Sequence, residues 1–199
     1  MSTVVDIPIF PLDTVLYPGG RLPLRIFEAR YVDMTKACIA NDSVFGVCQI
    51  LEGQELGVPA ACAPVGCTAR IFEWDVPSPG LFSLVTHGER VLRILDQQVQ
   101  ADGLIVAHAI VEDPPGPQVL SPERRVLGRM VSEIIGKIGA QHFVQPLRAD
   151  DALWVGHRLA EVLPVSTDQK LRLLQERDAN LVLEQIEIIL EAMRQEPDS

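Results

Sequence analysis

The chain has 199 residues, 47% hydrophobic and 22% charged, with a formal net charge of −10. That length and balance suit a globular protein with one or two buried cores. The acid excess covers both halves, 7 basic against 13 acidic residues up to Glu112 and 10 against 14 after it, so a nucleic-acid backbone is repelled at long range and general nucleic-acid binding is not expected.

Residues 7–31 read I-P-I-F-P-L-D-T-V-L-Y-P-G-G-R-L-P-L-R-I-F-E-A-R-Y. Proline fixes φ and donates nothing to a ladder, so Pro8, Pro11, Pro18 and Pro23 cut this stretch into short extended pieces. Val4 to Phe10 reads as the first strand. Gly19 and Gly20 after Pro18 signal a corner. A second short strand through Leu24, Ile26 and Phe27 runs into a helix that begins near Glu28. Residues 29–40 are predicted helical, with Tyr31, Met34 and Cys38 at helical spacing. Strands follow at Val44 to Ile50, Val65 to Trp74, Leu81 to His87, Arg90 to Val99 and Leu104 to Val111. They are separated by a Gly-, Pro- and Ala-rich loop over 52–64, a turn at Pro77-Ser78-Pro79-Gly80 and a hairpin signal at Asp102-Gly103. In the strand from Val65, alternation puts Val65, Cys67, Ala69 and Ile71 on one face and Thr68 and Arg70 on the other. Phe72 and Trp74 then share the face opposite Ile71. Short strands with tight turns predict a small barrel or curled sheets, with the early helix packed against it.

Asp113-Pro114-Pro115-Gly116-Pro117 is a break in composition, and two parts are expected to meet near 113–120. Everything beyond reads helical, so the fold class is α+β with the strands bunched first. Ser121 is placed to cap a helix that opens with Pro122 and runs to about Gly139. A second helix is expected over 151–163, with Ala152, Gly156, Leu159, Ala160 and Leu163 on one stripe. Ser166 with Gln169 forms a capping-box pattern for a third. Asp178 caps a fourth, whose stripe is Val182, Ile186, Ile189, Leu190 and Met193, and Pro197 marks a frayed tail.

Residues that could carry chemistry are sparse. A P-loop needs G-x-x-x-x-G-K-[ST]. The one Gly-Lys pair, Gly136-Lys137, is followed by Ile138, and Val131 stands where the first glycine belongs. No G-x-S-x-G elbow occurs. Cys62 and Cys67 have no second close pair to complete a zinc site, and Cys38, Cys48, Cys62 and Cys67 read as reduced, largely buried thiols. His87, His108, His142 and His157 lack the i, i+4 partner of a helical metal site. Asp150-Asp151 fits a helix start. Arg124, Arg125 and Arg129 share a helix face without interleaved aromatics, as a solvated face does. No cofactor and no metal are therefore expected. No apolar run approaches the roughly 18 residues of a membrane span, and no basic stretch leads into an apolar one at the N-terminus, so no membrane partner is expected and the location predicted is cytoplasmic. The large apolar groups available for binding another protein are Tyr17, Phe72, Trp74, Phe82 and Trp154, though burial is the commoner fate of such residues.

The N-terminal stretch resembles the opening of the Lon protease N-terminal, substrate-binding domain. That family's pattern is roughly P-L-F-P-L, V-L-F-P-G, then L-P-L-x-I-F-E-x-R-Y. It appears here as Pro8 to Leu12 with Pro11, as Val15, Leu16, Tyr17, Pro18 and Gly19, and as Leu22, Pro23, Leu24, Ile26, Phe27, Glu28, Arg30 and Tyr31. Ile9, Tyr17 and Ala29 depart from the common residues. Gly66 to Ile71 is similar to the family's G-T-x-A-x-I strand, and Gly88 to Ile94, with Arg90, to its G-x-x-R-F-x-I strand. Leu159 to Leu163 and Lys170 to Glu176 resemble its last helices. The resemblance implies a PUA-like small β-barrel with one helix over 1–118, followed by a helical part over 119–199. It implies a non-catalytic module that recognises unfolded or exposed apolar segments of proteins, with strand addition at an open sheet edge as one mode. Such a module would serve as an adaptor or regulator of proteolysis. The ATPase and Ser-Lys protease modules of full-length relatives are expected to be absent. An RNA-binding PUA-like role, using Arg21, Arg25 and Arg30 or the Arg124 cluster, and a small-molecule sensor with a pocket between barrel and helices remain as alternatives. Glu28, at a helix start in the densest part of the pattern, is expected to pair with Arg90.

Overall fold

The computed structural model describes residues 2–55, 57 and 60–195. Its residues gather into two compact units, 1–114 and 115–199. The Pro197 expectation lies outside the described residues.

The first unit holds β1 (Thr3–Leu12), β2 (Arg21–Ile26), α1 (Ala29–Asn41), β3 (Val44–Glu52), β4 (Ala61–Ser78), β5 (Leu81–Val99) and β6 (Ile105–Val111). β1 runs parallel to β3 and antiparallel to β6, β3 pairs with β4, β4 with β5, and β5 with β6. Those five strands therefore close on themselves, which leaves no open edge among them. β2 stands outside the closure and, among the described residues, pairs with β5 alone.

β5 runs unbroken over its 19 residues. The sequence suggests two strands because Gly88-Glu89 interrupts the apolar pattern. The chain instead stays extended through Gly88, whose N–H donates to the Gly20 carbonyl (2.9 Å) and whose carbonyl accepts from the Gly19 N–H (2.7 Å). The Pro18-Gly19 corner thus supplies what the interruption lacks. The half of β5 before Gly88 carries β2, and the half after it carries β6. β4 likewise begins at Ala61, within the stretch expected to be loop.

α1 packs against the strands through one apolar cluster. Tyr31, Met34 and Cys38 are buried with Phe10, Phe45 and Leu84, and the Phe10 and Tyr31 rings lie 4.3 Å apart. Its chain reverses at Asp42, whose left-handed conformation (φ 46°) suits an aspartate. Ile7, Ile9, Leu92 and Ile105 form a second cluster inside the barrel.

The second unit is helical: α2 (Arg125–Ile138), α3 (Ala152–Val162), α4 (Thr167–Gln175) and α5 (Ala179–Gln195), with short 3-10 turns at Pro122–Arg124 and Ala140–His142. Ser121 makes no side-chain cap, because the turn it precedes is 3-10 and the α-helix starts later. Asp151 does cap α3 through the Trp154 N–H (3.1 Å), and Ser166 with Gln169 forms the full capping box. Asp178 accepts from the Asn180 N–H (2.8 Å). Arg124 reaches Glu187 at 3.0 Å and Asn180 at 3.2 Å, so it joins α5 to the start of α2. Val155, Leu159 and Ala160 of α3 and Val182 and Ile186 of α5 are buried, and the two helices pack together with Val182 against Gly156.

His157 is buried in this unit, and burial, then the charge of Arg158, lowers its pKa from 6.5 to about 3. The folded state therefore binds fewer protons than the unfolded state between those values. Its contribution is whole above the unfolded pKa and falls as pH drops through 6.5 toward 3. We expect the second unit to lose about 2 kcal/mol between pH 7 and pH 5 from this group. Urea titrations at both pH values should show that loss, and His157→Gln should flatten the difference.

Candidate protein-recognition surface

Before Gly88 in β5, β2, β5 and β4 form a three-stranded ribbon whose two faces differ. Register puts directly opposed residues on one face. Leu22 opposes Thr86, Leu24 opposes Leu84, and Ile26 opposes Phe82; on the far side Ile71 opposes Thr86 and Trp74 opposes Leu84. Thr86, Leu84 and Phe82 are buried, and Leu84 and Phe82 belong to the cluster that packs against α1, so this face is continuous with that core. The row Leu24, Leu84, Trp74 crosses all three strands. It starts half-buried, passes through a residue 1% exposed and ends on a tryptophan 54% exposed.

The other face carries Arg21, Pro23 and Arg25 from β2, opposite His87, Val85 and Ser83. Glu73 and Asp75 of β4 oppose Val85 and Ser83 from the other flank. Phe72 belongs to this second face, stacked on the His87 ring at 4.4 Å. Phe72 and Trp74 do not share a face, contrary to simple alternation. A β-bulge lies between Ile71 and Glu73. The inserted residue shifts parity by one, as bulges do, and turns Trp74 back to the core side. Desolvation, then the charge of Arg21, lowers the His87 pKa.

A groove of about 340 Å³ runs along β2. Leu22, Leu24 and Phe27 line it with Phe10 and Tyr31, and Pro23, Arg25, Glu28 and Glu55 also belong to its lining. Phe27 is 56% exposed there. The sequence marked Phe27 only as part of a motif, yet Leu22, Leu24 and Ile26 alternate with Pro23 and Arg25. That period of two in a proline-bearing strand is the signal of an edge with one apolar face.

Three of the proposed contact groups are corrected. Tyr17 is fully buried beneath the corner at Gly88, Phe82 is buried opposite Ile26, and Trp154 is buried in α3, with the Arg158 guanidinium 5.5 Å from its ring. Each completes a core, so Phe72 and Trp74 alone of the five face solvent. The Glu28–Arg90 pair is also corrected. Glu28 bonds Arg30 at 2.9 Å and accepts from the Gly57 N–H at 3.4 Å. Arg90 bonds Asp113 at 2.8 Å and the carbonyls of Glu112 and Val111. Arg30, two residues from Glu28, reaches it along the first turn of α1, while Arg90 is held where the chain leaves β6. Of the other motif residues, Gly66 packs on the Val47 carbonyl and Pro11 opposes Cys48. Cys38, Cys48 and Cys67 are buried and Cys62 is half-buried, all as free thiols. Among the described residues no three His, Cys, Asp or Glu side chains gather as a metal site, and no helix is long and apolar enough to cross a membrane.

Comparison with known proteins agrees with this architecture. A solved Lon N-terminal domain protein from Xanthomonas campestris superposes with a TM-score of 0.76 at 36% identity, covering 92% of this chain and 96% of that one. The N-terminal domain of a Lon protease of the Mycobacterium avium complex shares the fold, with a TM-score of 0.62 at 15% identity over 97% of this chain and 100% of that chain. Lon protease 2 of Myxococcus xanthus is 28% identical over 141 residues, which cover 67% of this chain and only 17% of that protein. Residues 6–195 match the family described as the ATP-dependent protease La (LON) substrate-binding domain, and the chain belongs to that family.

Proposed function

We propose that the first unit binds exposed apolar segments of other proteins against the row Leu24, Leu84, Trp74 and the groove beside it, and that it performs no chemistry. Substrate recognition is the role of the family. In this chain the role serves proteolysis in the cytoplasm, as an adaptor or regulator. The observation that carries the reading is Trp74, a large ring 54% exposed on the same face as a fully packed core. Covering about 100 Å² of such a ring gains about 2.5 kcal/mol. A binding surface that extends a core is also stiff, so little ordering is lost on docking.

Trp74→Ala is expected to weaken binding of a reduced, carboxymethylated unfolded protein about tenfold or more, with the melting temperature unchanged. Phe72→Ala, on the opposite face, should leave affinity within about twofold. Fluorescence anisotropy with the labelled unfolded protein measures both. Equal losses in the two variants would refute the assignment to the core-side face.

A further inference from the structure

We infer that the open edge of β2 takes an extended substrate segment as an added strand, and that it selects the pattern acidic, apolar, any, apolar, acidic. The inference rests on the recognition role proposed above and states what that surface prefers.

Among the described residues β2 is bonded on one side only. The Thr86 hydroxyl donates to the Leu22 carbonyl at 2.9 Å, so that carbonyl is turned toward β5. Main-chain groups of successive residues point to opposite sides of a strand. The carbonyls of Arg21, Pro23 and Arg25 therefore face the open side, together with the N–H groups of the two arginines. Proline contributes no donor there. The edge is thus richer in acceptors than donors, and any extended segment can supply its own N–H groups.

Side chains then decide which segment fits. On one face an added strand meets Leu22 and Leu24 over the groove, whose lining also holds Glu28 and Glu55. Glu28 is bonded to Arg30 and the Gly57 N–H, and Glu55 to the Asp13 N–H, and both carboxylates favour apolar over acidic residues on that face. On the other face the added strand meets Arg21 and Arg25, four residues apart, which is about 13 Å along a strand. No carboxylate bonds either guanidinium among the described residues. Opposite charges placed across neighbouring strands attract and like charges repel. A segment with acidic residues facing both arginines and apolar residues facing both leucines satisfies the two faces together. The pattern reads the same from either end, so it holds for parallel and antiparallel addition alike. The chain's −10 charge slows the approach of an acidic segment. Once docked, contact at hydrogen-bond range outweighs that distant, screened field.

A second copy of β2 is a poor occupant. Antiparallel pairing about Pro23 sets Arg21 against Arg25 twice and brings together two residues without N–H groups.

The test uses the full chain and two fluorescein-labelled peptides, Ser-Glu-Leu-Thr-Val-Glu-Ser and the same peptide with lysine for both glutamates. Anisotropy should show the glutamate peptide binding at least about fivefold tighter. The double variant Arg21→Glu, Arg25→Glu should reverse that order, and the milder Arg25→Gln should halve the discrimination or more if the double variant melts early. Amide exchange at Arg21 and Arg25 should slow when the glutamate peptide is bound. Equal affinities, or a preference for lysine, would overturn the inference. So would unfolded protein binding through Trp74 while neither peptide binds, which leaves the recognition role standing. Binding of neither peptide nor unfolded protein removes both. A dimer in sedimentation that the glutamate peptide cannot dissociate would put a second copy on the edge and refute the inference.

Discussion

Gly88→Ala is expected to destabilise the first unit by about 3 kcal/mol, seen as a melting temperature lower by about 10 °C. A Cβ at position 88 would lie 2.2 Å from the Tyr17 carbonyl oxygen and 3.1 Å from the Leu16 side chain. The nearer atom is backbone, held by the Gly20 N–H at 2.9 Å, and cannot swing aside. Relief would require the Pro18-Gly19 corner to lift from β5 and give up its bonds to Gly88. Gly136→Ala is the contrast. Nothing lies within 4 Å of a Cβ there, and the position is inside α2. Alanine should stabilise it by about 0.5–1 kcal/mol through helix propensity. Thermal melts of the two variants, read by circular dichroism, check both signs. A Gly88→Ala protein that melts with the wild type would show that the corner is not rigid.

Arg30→Ala should cost about 3 kcal/mol in urea denaturation. The side chain is 6% exposed and ties three things together. It donates to Glu28 at 2.9 Å and to the Gly103 carbonyl in the β5–β6 turn at 3.0 Å, and its guanidinium lies 4.6 Å from the Tyr31 ring centre. Truncation leaves a largely buried carboxylate and a carbonyl without their donor. Arg30→Lys should recover less than half, since an ammonium cannot bond two acceptors as a planar fork and stack as well. Arg90→Ala should cost about 1 kcal/mol, because its partner Asp113 is 44% exposed and water screens the pair. Equal losses at Arg30 and Arg90 would contradict this ranking.

Much of the architecture is legible in the sequence because local rules act there. The corner at Pro18-Gly19, the helix from Ala29, the capping box at Ser166 and the bunching of strands before residue 113 each follow from a few neighbouring residues. What local rules miss depends on partners far along the chain. Gly88 looks like a strand break until Gly19 and Gly20 bond to it. Arg90 looks in need of a partner, and nothing local reveals that Asp113, 23 residues on, supplies it, whereas the partner of Glu28 is local, in Arg30. The candidate surface divides the same way. Trp74 is recognisable as a large apolar residue, but its face is set by a bulge that depends on β5. Phe27 hides inside a family motif while lining the groove.

The closure of the barrel also sets an order on the making of the protein. β1 leaves the ribosome well before β6, and their pairing joins Thr3 to Val111, 108 positions later (111 − 3). At synthesis rates of about 5–20 residues per second that interval is about 5–20 s. Throughout it, Ile7, Ile9 and Phe10 stand on a strand with one edge open, in the form most prone to stray pairing. A nascent chain halted before Val111 therefore displays an extended apolar segment of the kind its finished first unit is proposed to hold.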